Sequence, residues 1–153
     1  MYTFKAFITN YVLISTICAW FIAQFLKMVV TLIKEKKFKP SLMLFSLGGM
    51  PSSHSATVGA LFTSAAIKYG FGSFEFAVSA ILAMIVMTDA MGVRWETGEQ
   101  SKVINRIVKQ LFGGDPEEAE TALKELVGHT PFQVLMGVIV GIATPFITML
   151  FYK

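Results

Sequence analysis

The chain alternates between long apolar runs and short polar segments, a pattern typical of helices that cross a bilayer. The first run, 11–33, is broken only by Gln24 and Lys27. As a helix, its 23 residues extend about 34 Å, which is enough to cross the hydrocarbon core. The same pattern predicts three further spans, at 52–69, 74–92 and 131–152.

The remaining segments are shorter or more polar, and they predict how the spans connect. Residues 41–50 are apolar but too few to cross, which favours a re-entrant or interfacial segment before the second span. Within the polar region 93–130, residues 98–112 place apolar and basic side chains on opposite faces of a helix, as in helices on an anionic membrane surface. A second helix start is indicated at Asp115-Pro116. The predicted fold class is an all-α integral membrane protein with about four transmembrane helices and amphipathic helices before the last span.

Composition also favours a membrane protein. Of the 153 residues, 54% are apolar and only 15% are charged, whereas soluble domains carry about a quarter charged residues. The formal net charge is +3, but the basic residues are not interleaved with aromatic residues, so nucleic acid is not an expected partner. The single cysteine, Cys18, excludes an internal disulfide. We predict one membrane domain over residues 1–153.

The distribution of basic residues predicts how the protein sits in the cell membrane. Four lysines lie in the segment 34–39, which the positive-inside rule places in the cytosol. Counting four spans from there places both termini outside. The same count brings the start of the second span, the end of the third and the start of the fourth to the cytosolic face.

The segment 48–57 is a hydroxyl-rich turn at the start of the second span. Pro51 suits the first turn of a helix, because its missing N–H costs nothing there. The backbone N–H groups from Gly49 to Ser52 lie at a helix start, which favours an anion such as phosphate. The hydroxyl groups of Ser52 and Ser53 add donors. This turn is therefore a candidate phosphate site.

The chain has two histidines, His54 and His129, and each lies at the entrance to a predicted span. Imidazole exchanges protons near neutral pH, so the pair is a candidate for acid–base or nucleophilic chemistry. Gln133 follows His129 by four residues, which on a helix brings its carboxamide within reach of the imidazole. The alternative is that both histidines are interfacial residues without a chemical role.

Ionisable residues in the apolar runs form a second candidate group. Asp89 and Arg94 lie at the predicted cytosolic end of the third span, where the forked guanidinium of Arg94 suits phosphate oxygens. Lys27, about two turns inside the first span, can reach the same face. The alternative gives Asp89 a structural role, in which it neutralises Arg94 or Lys27.

Taken together, these motifs resemble those of a known family. Pro51-Ser52-Ser53-His54 is similar to the Pro-Ser-Gly-His signature of the type-2 phosphatidic acid phosphatase and vanadium haloperoxidase superfamily. With Asp89-Ala90-Met91-Gly92-Val93-Arg94 and Gly128-His129-Thr130-Pro131, the chain resembles the small divergent bacterial and plant branch of that superfamily. The resemblance covers nearly the whole chain.

The resemblance implies roles for individual residues. His129 matches the histidine that attacks phosphorus, and His54 matches the histidine that protonates the leaving oxygen. Gln133 stands where the family has an aspartate that orients the nucleophile. Arg94 and Lys27 are the candidates for the phosphate-holding arginine and lysine, although neither is at the family's usual spacing.

The leading interpretation is a membrane phosphatase or phosphotransferase that acts on a lipid-linked phosphate through a phosphohistidine intermediate, with no metal or cofactor. The alternative is a non-catalytic membrane protein that binds phospholipid headgroups or a partner through the same anion pocket, which Gln133 in place of aspartate favours. A third interpretation is a small transporter with Lys27 and Asp89 as an ion pair. Gly137 and Gly141 form a Gly-x-x-x-Gly pattern, which indicates either a homodimer or close packing within the chain.

Overall fold

A computed structural model describes residues 2–36, 49–112 and 128–152 of the chain. Within these ranges every regular element is an α-helix and no strand is present, as the sequence predicts. The helices in chain order are α1 (Tyr2–Ile8), α2 (Tyr11–Glu35), α3 (Ser53–Tyr69), α4 (Phe74–Met91), α5 (Val93–Phe112) and α6 (Pro131–Phe151).

Polar residues begin the long helices by capping their first backbone N–H groups. The side chain of Asn10 accepts hydrogen bonds from the backbone at the start of α2, and Ser73 does the same for α4. Thr130 and Gln133 form a capping box at the start of α6, in which each side chain binds the backbone of the other residue. Each cap satisfies donors that the helix itself leaves unpaired, so it fixes where the helix begins.

Within the described residues, three helical stretches are long and apolar enough to cross a membrane: Tyr11–Lys34, Phe74–Gln110 and Pro131–Phe151. In the second of these, α4 is the apolar part, and Gly92 separates it from α5. Helix α3 has only 17 residues, about 26 Å of helix against a hydrocarbon core of about 30 Å. The four spans predicted from the sequence therefore correspond to three spanning stretches and one shorter helix.

Helix α3 lies at the centre of the bundle and packs against α2, α4 and α6. Its buried side chains are mostly small, which lets the neighbouring helices approach closely. Helix α2 runs antiparallel to α6: the ring of Tyr11, at the start of α2, lies 5.4 Å from the ring of Tyr152, just after the end of α6, and the Tyr11 hydroxyl donates to the Pro145 carbonyl at 2.9 Å. The C-terminal half of α2 is thereby brought to the starts of α3 and α6.

The two glycines of the Gly-x-x-x-Gly pattern lie against α3 within the same chain. A Cβ atom on Gly137 would overlap the Ser52 carbonyl oxygen, and one on Gly141 would lie 2.5 Å from the Ala56 carbonyl oxygen. Close packing within the chain thus accounts for the Gly-x-x-x-Gly pattern, so the pattern no longer indicates a homodimer.

Several boundaries differ from those predicted. Helix α1 was not predicted, and α5 begins at Val93 rather than at residue 98. Pro51 precedes the capping residue Ser52 and so lies outside α3, because the Ser52 side chain takes the capping position. Residues 41–48 of the predicted re-entrant segment 41–50, and residues 115–127 of the second amphipathic helix, lie outside the described residues.

Candidate functional site

Main-chain hydrogen bonds bring three helix ends together at one end of the bundle. The Ser52 N–H, just before α3, donates to the Gln133 carbonyl in the first turn of α6 at 3.0 Å. The His129 N–H, just before α6, donates to the Ala90 carbonyl near the end of α4 at 3.1 Å. The starts of α3 and α6 and the end of α4 therefore meet, as the count of spans predicts.

The two histidines face each other across this junction. Their ring centroids are 6.1 Å apart, and the ring planes are inclined by 60°. His54 is the second residue of α3 and is exposed, whereas only 3% of His129 is exposed. One imidazole can therefore exchange protons with water while the other is held inside the protein.

Hydrogen bonds orient the ring of His129. Its Nδ1 lies 3.2 Å from Oε1 of Gln133, the residue that the helical spacing predicts as its partner. The same Oε1 accepts the Thr130 N–H at 3.1 Å, so the carboxamide presents its oxygen to the ring. The backbone of Gly49 also hydrogen-bonds the imidazole. The ring of His129 is thus fixed by residues on both sides of the junction.

Burial lowers the pKa of His129 below its ordinary value, because the protonated ring loses its hydration. The positive charges of Lys27 and His54 act in the same direction, and the hydrogen bonds with Gln133 and Gly49 oppose them. The net direction is downward, so at neutral pH the imidazole is neutral and keeps a lone pair on one nitrogen.

Lys27 places a buried positive charge beside the histidines. Only 1% of the residue is exposed, and within the described part of the chain its Nζ has no hydrogen-bond partner. Its aliphatic carbons pack beside Gly49, where an added Cβ would lie 3.4 Å from Lys27 Cγ. A buried ammonium group without a partner is costly, so this position favours an anionic ligand.

The two serines predicted as hydroxyl donors, Ser52 and Ser53, have different surroundings. The Ser52 N–H is taken by Gln133, and its Oγ accepts from the N–H and the hydroxyl of Ser55, at 3.3 and 3.0 Å. Ser52 therefore holds α3 against α6. The sequence predicted that its N–H would be available to phosphate, but the Gln133 carbonyl already accepts it. Ser53 is buried at the first position of α3, so it stays a candidate.

Asp89 and Arg94 flank Gly92, at the end of α4 and the start of α5. Asp89 is half-buried, one residue before the carbonyl that binds the His129 backbone. No hydrogen bond joins it to the Lys27 amino group, and the pairing of these two charges stays a prediction. The side chain of Arg94 lies outside the described part of the structure, so its phosphate-binding role stays a prediction.

Two features close to Lys27 and His129 were not assigned to a site from the sequence. One is the contact of the Gly49 backbone with His129, which depends on the positive φ of 84° at Gly49. The other is Gln24, which is one turn before Lys27, 3% exposed, and has no partner for its Oε1 among the described residues. Its position within the apolar run, three residues before Lys27, was the available signal.

Replacing Lys27 with methionine should make the protein more stable and remove its response to inorganic phosphate. An unpartnered buried polar group disfavours the folded state by about 1–3 kcal/mol, and a charged one by more. Methionine keeps the length of the side chain without the charge. The midpoint of thermal unfolding in detergent, with and without phosphate, measures both effects.

The matched control is Lys68→Met, since Lys68 is an exposed lysine at the opposite end of α3. It should change neither the midpoint nor the shift caused by phosphate. If phosphate stabilises the Lys27→Met protein as much as the wild type, Lys27 does not bind the anion.

Comparison with known proteins places these features in a family. The sequence model of the divergent PAP2 family matches residues 8–144, a range that includes every candidate residue from Lys27 to Gln133. The uncharacterized membrane protein YuiD of Bacillus subtilis (strain 168) is 41% identical over 155 residues, covering 95% of this chain and 98% of that protein. No solved structure matches the chain significantly. The chain belongs to the divergent PAP2 family.

Proposed function

We propose that the protein is a membrane phosphohydrolase for a lipid-linked phosphate, with His129 as the nucleophile and His54 as the proton donor. The observation that carries the proposal is the pair of rings 6.1 Å apart beside the unpartnered amino group of Lys27. An attacking atom lies roughly 3 Å from its target, and a catalytic acid lies roughly 3 Å from the leaving oxygen. A single phosphate group can therefore touch both rings.

In the first step, a nitrogen lone pair of His129 attacks phosphorus, and the bond between phosphorus and the lipid oxygen breaks. Protonated His54 gives its proton to that oxygen, so the lipid leaves as an alcohol. Gln133 accepts the hydrogen bond from Nδ1 and holds the ring while the other nitrogen carries the phosphoryl group. The Lys27 ammonium stabilises the negative charge on the phosphoryl oxygens.

In the second step, a water oxygen attacks the phosphorus of the phosphohistidine. His54, now neutral, takes a proton from that water, and the nitrogen of His129 leaves with the bonding electron pair. Inorganic phosphate is released, and both histidines return to their starting forms. The exposure of His54 supports this role, because a water molecule can approach its ring.

The position of the site supports a lipid as substrate. Lys27 lies within a stretch that can span the membrane, and both histidines lie at the end of the same bundle. A phosphate attached to a lipid reaches this level without leaving the bilayer. We further propose, from the lysines at 34–39, that this face is cytosolic and that both termini are outside.

The second candidate function is binding of phospholipid headgroups without turnover. Gln133 favours it, because a neutral carboxamide oxygen stabilises a positively charged imidazole less than a carboxylate does. The backbone of Gly49 also hydrogen-bonds the ring of His129. If the ring nitrogen in this hydrogen bond is the one that attacks phosphorus, the hydrogen bond must break first. Both observations are compatible with an anion pocket that has no chemical step.

Phosphate release by the purified protein from lipid phosphate monoesters in mixed micelles distinguishes the two candidates. We expect turnover of monoesters and none of a phosphodiester lipid such as phosphatidylglycerol. The His54→Ala/His129→Ala double variant is the control for contaminating phosphatases. Release that is equal in the double variant and the wild type would overturn the phosphohydrolase, and binding of monoesters without release would establish the headgroup-binding alternative.

A further inference from the structure

An apolar groove lies between α3, α4 and α6. Its volume is about 410 Å³. Its lining includes Phe76, Ala80, Met84, Met87, Met91 and Val134. Among the residues that the structure describes, none that lines it is charged.

One end of the groove lies beside the histidines. Met91, the last residue of α4, follows Ala90, whose carbonyl holds the His129 backbone. Val134 follows Gln133, which binds the imidazole of His129. Two of the residues lining this end are therefore direct chain neighbours of residues that position the proposed nucleophile.

The other end of the groove lies near the start of α4. Phe76 and Met91 are fifteen positions apart on this helix, so the groove follows it for about 22 Å. Ala80 leaves room in the middle, and three methionines supply flexible, polarisable side chains that adapt to the shape of a chain. These dimensions and this lining fit an extended hydrocarbon chain.

We propose that this groove holds the hydrocarbon chain of the lipid whose phosphate is bound between His54 and His129. This assignment rests on the proposed function for the identity of the headgroup. The occupant is the chain of the lipid phosphate substrate, because the end of the groove at Met91 and Val134 lies next to the residues that position His129. The groove then selects long-chain lipid phosphates and fixes the phosphate at the depth of the two rings.

Filling the groove should affect long-chain substrates selectively. In the Ala80→Phe variant, we expect the ratio of kcat/KM for a long-chain alkyl phosphate to that for a soluble short-chain one to fall about tenfold. Loss of about two buried methylene contacts is enough for this effect. The matched control is Ala77→Phe on the exposed face of α4, which should leave the ratio unchanged. Equal losses with both substrates, or no change in the ratio, would overturn the assignment.

A binding experiment separates the groove from the chemistry. A non-hydrolysable long-chain alkyl phosphonate with a mid-chain diazirine should label Met84 and Met87 in wild-type protein, and Ala80→Phe should weaken that labelling. A diazirine-bearing alcohol of the same length serves as the control without an anion. Groove labelling without turnover would support the groove and contradict the phosphohydrolase. Two outcomes would contradict the groove assignment but leave the phosphohydrolase intact. One is turnover with labelling that is equally strong on the exposed residues Ile81 and Ile85. The other is turnover with equal labelling by the alcohol.

Discussion

Replacement of His129 with alanine should slow phosphate release from a lipid phosphate by at least about a thousandfold, because the nucleophile is lost. The fold should survive, since the His129 main-chain N–H, not its ring, binds the Ala90 carbonyl. The unfolding midpoint should therefore stay near that of the wild type. Initial rates at saturating substrate, together with the midpoint, separate loss of the nucleophile from loss of structure.

Replacement of His54 should have an effect that depends on the leaving group. With an alkyl phosphate, the loss of the proton donor should cost about 10²–10⁴-fold in rate. An aryl phosphate with a stable phenolate leaving group needs little protonation, so phosphorylation of His129 should be nearly normal in His54→Ala. Hydrolysis of the phosphoenzyme still lacks its base, so acid-labile phosphohistidine should accumulate.

Trapping of the phosphoenzyme tests the assignment of the two roles. The His54→Ala protein should give labelled phosphohistidine at His129 with an aryl phosphate, and the double variant should give none. If His129→Ala keeps a tenth or more of the wild-type rate, His129 is not the nucleophile. If the label is found on His54, the two roles are reversed.

Alanine at Gly137 or Gly141 should destabilise the protein severely. The Cβ of Gly141→Ala would lie 2.5 Å from the Ala56 carbonyl oxygen and 3.0 Å from Gly59 Cα, both of which are backbone atoms. Backbone cannot move aside as a side chain can, so α3 and α6 have to separate. We expect a loss of about 1–3 kcal/mol or more for each substitution, which is the usual cost of overpacking.

Gly137→Ala should also lower any activity beyond its effect on stability. Its Cβ would overlap the Ser52 carbonyl and lie 2.9 Å from Ser55 Cβ, at the start of the helix that carries His54. A shift of about 1 Å between catalytic groups can cost a hundredfold in rate. Activity measured on the fraction that remains folded shows this second effect.

Gly72→Ala is the matched control, because an added Cβ there meets no atom within 4 Å. Its unfolding midpoint and activity should equal those of the wild type. A Gly137→Ala or Gly141→Ala protein that unfolds at the wild-type midpoint would contradict the close contact of α3 with α6. Self-association that disappears in these variants while the monomer stays stable would instead point to a dimer interface.

The helices with strong apolar runs could be predicted from the sequence. The run at 11–33 becomes Tyr11–Glu35, and the last span, 131–152, becomes Pro131–Phe151. Helix α1 was missed because it is a seven-residue helix without a long apolar run. The start of α5 was placed five residues late, because its apolar periodicity becomes regular only from Val103 onward.

The composition of the candidate site could be predicted in part. The count of spans brought His54 and His129 to one face, and the i,i+4 spacing paired His129 with Gln133. The use of the Ser52 N–H by the Gln133 carbonyl could not be predicted, since it joins residues 81 positions apart. A hydrogen bond of this kind depends on how two helix starts are placed side by side.

The sequence by itself determined that this is an all-α membrane protein and indicated a candidate anion-binding turn, because apolar run length and local hydroxyl and imidazole groups are properties of short segments. Only the tertiary structure decided which charged side chain lacks a hydrogen-bond partner among the described residues and which helix faces are covered by a neighbouring helix. Lys27 is buried at the junction, and Gly137 and Gly141 lie against α3, because the helices pack through small residues. Burial, ring separation and backbone approach depend on distances between segments, so they follow from the packed bundle.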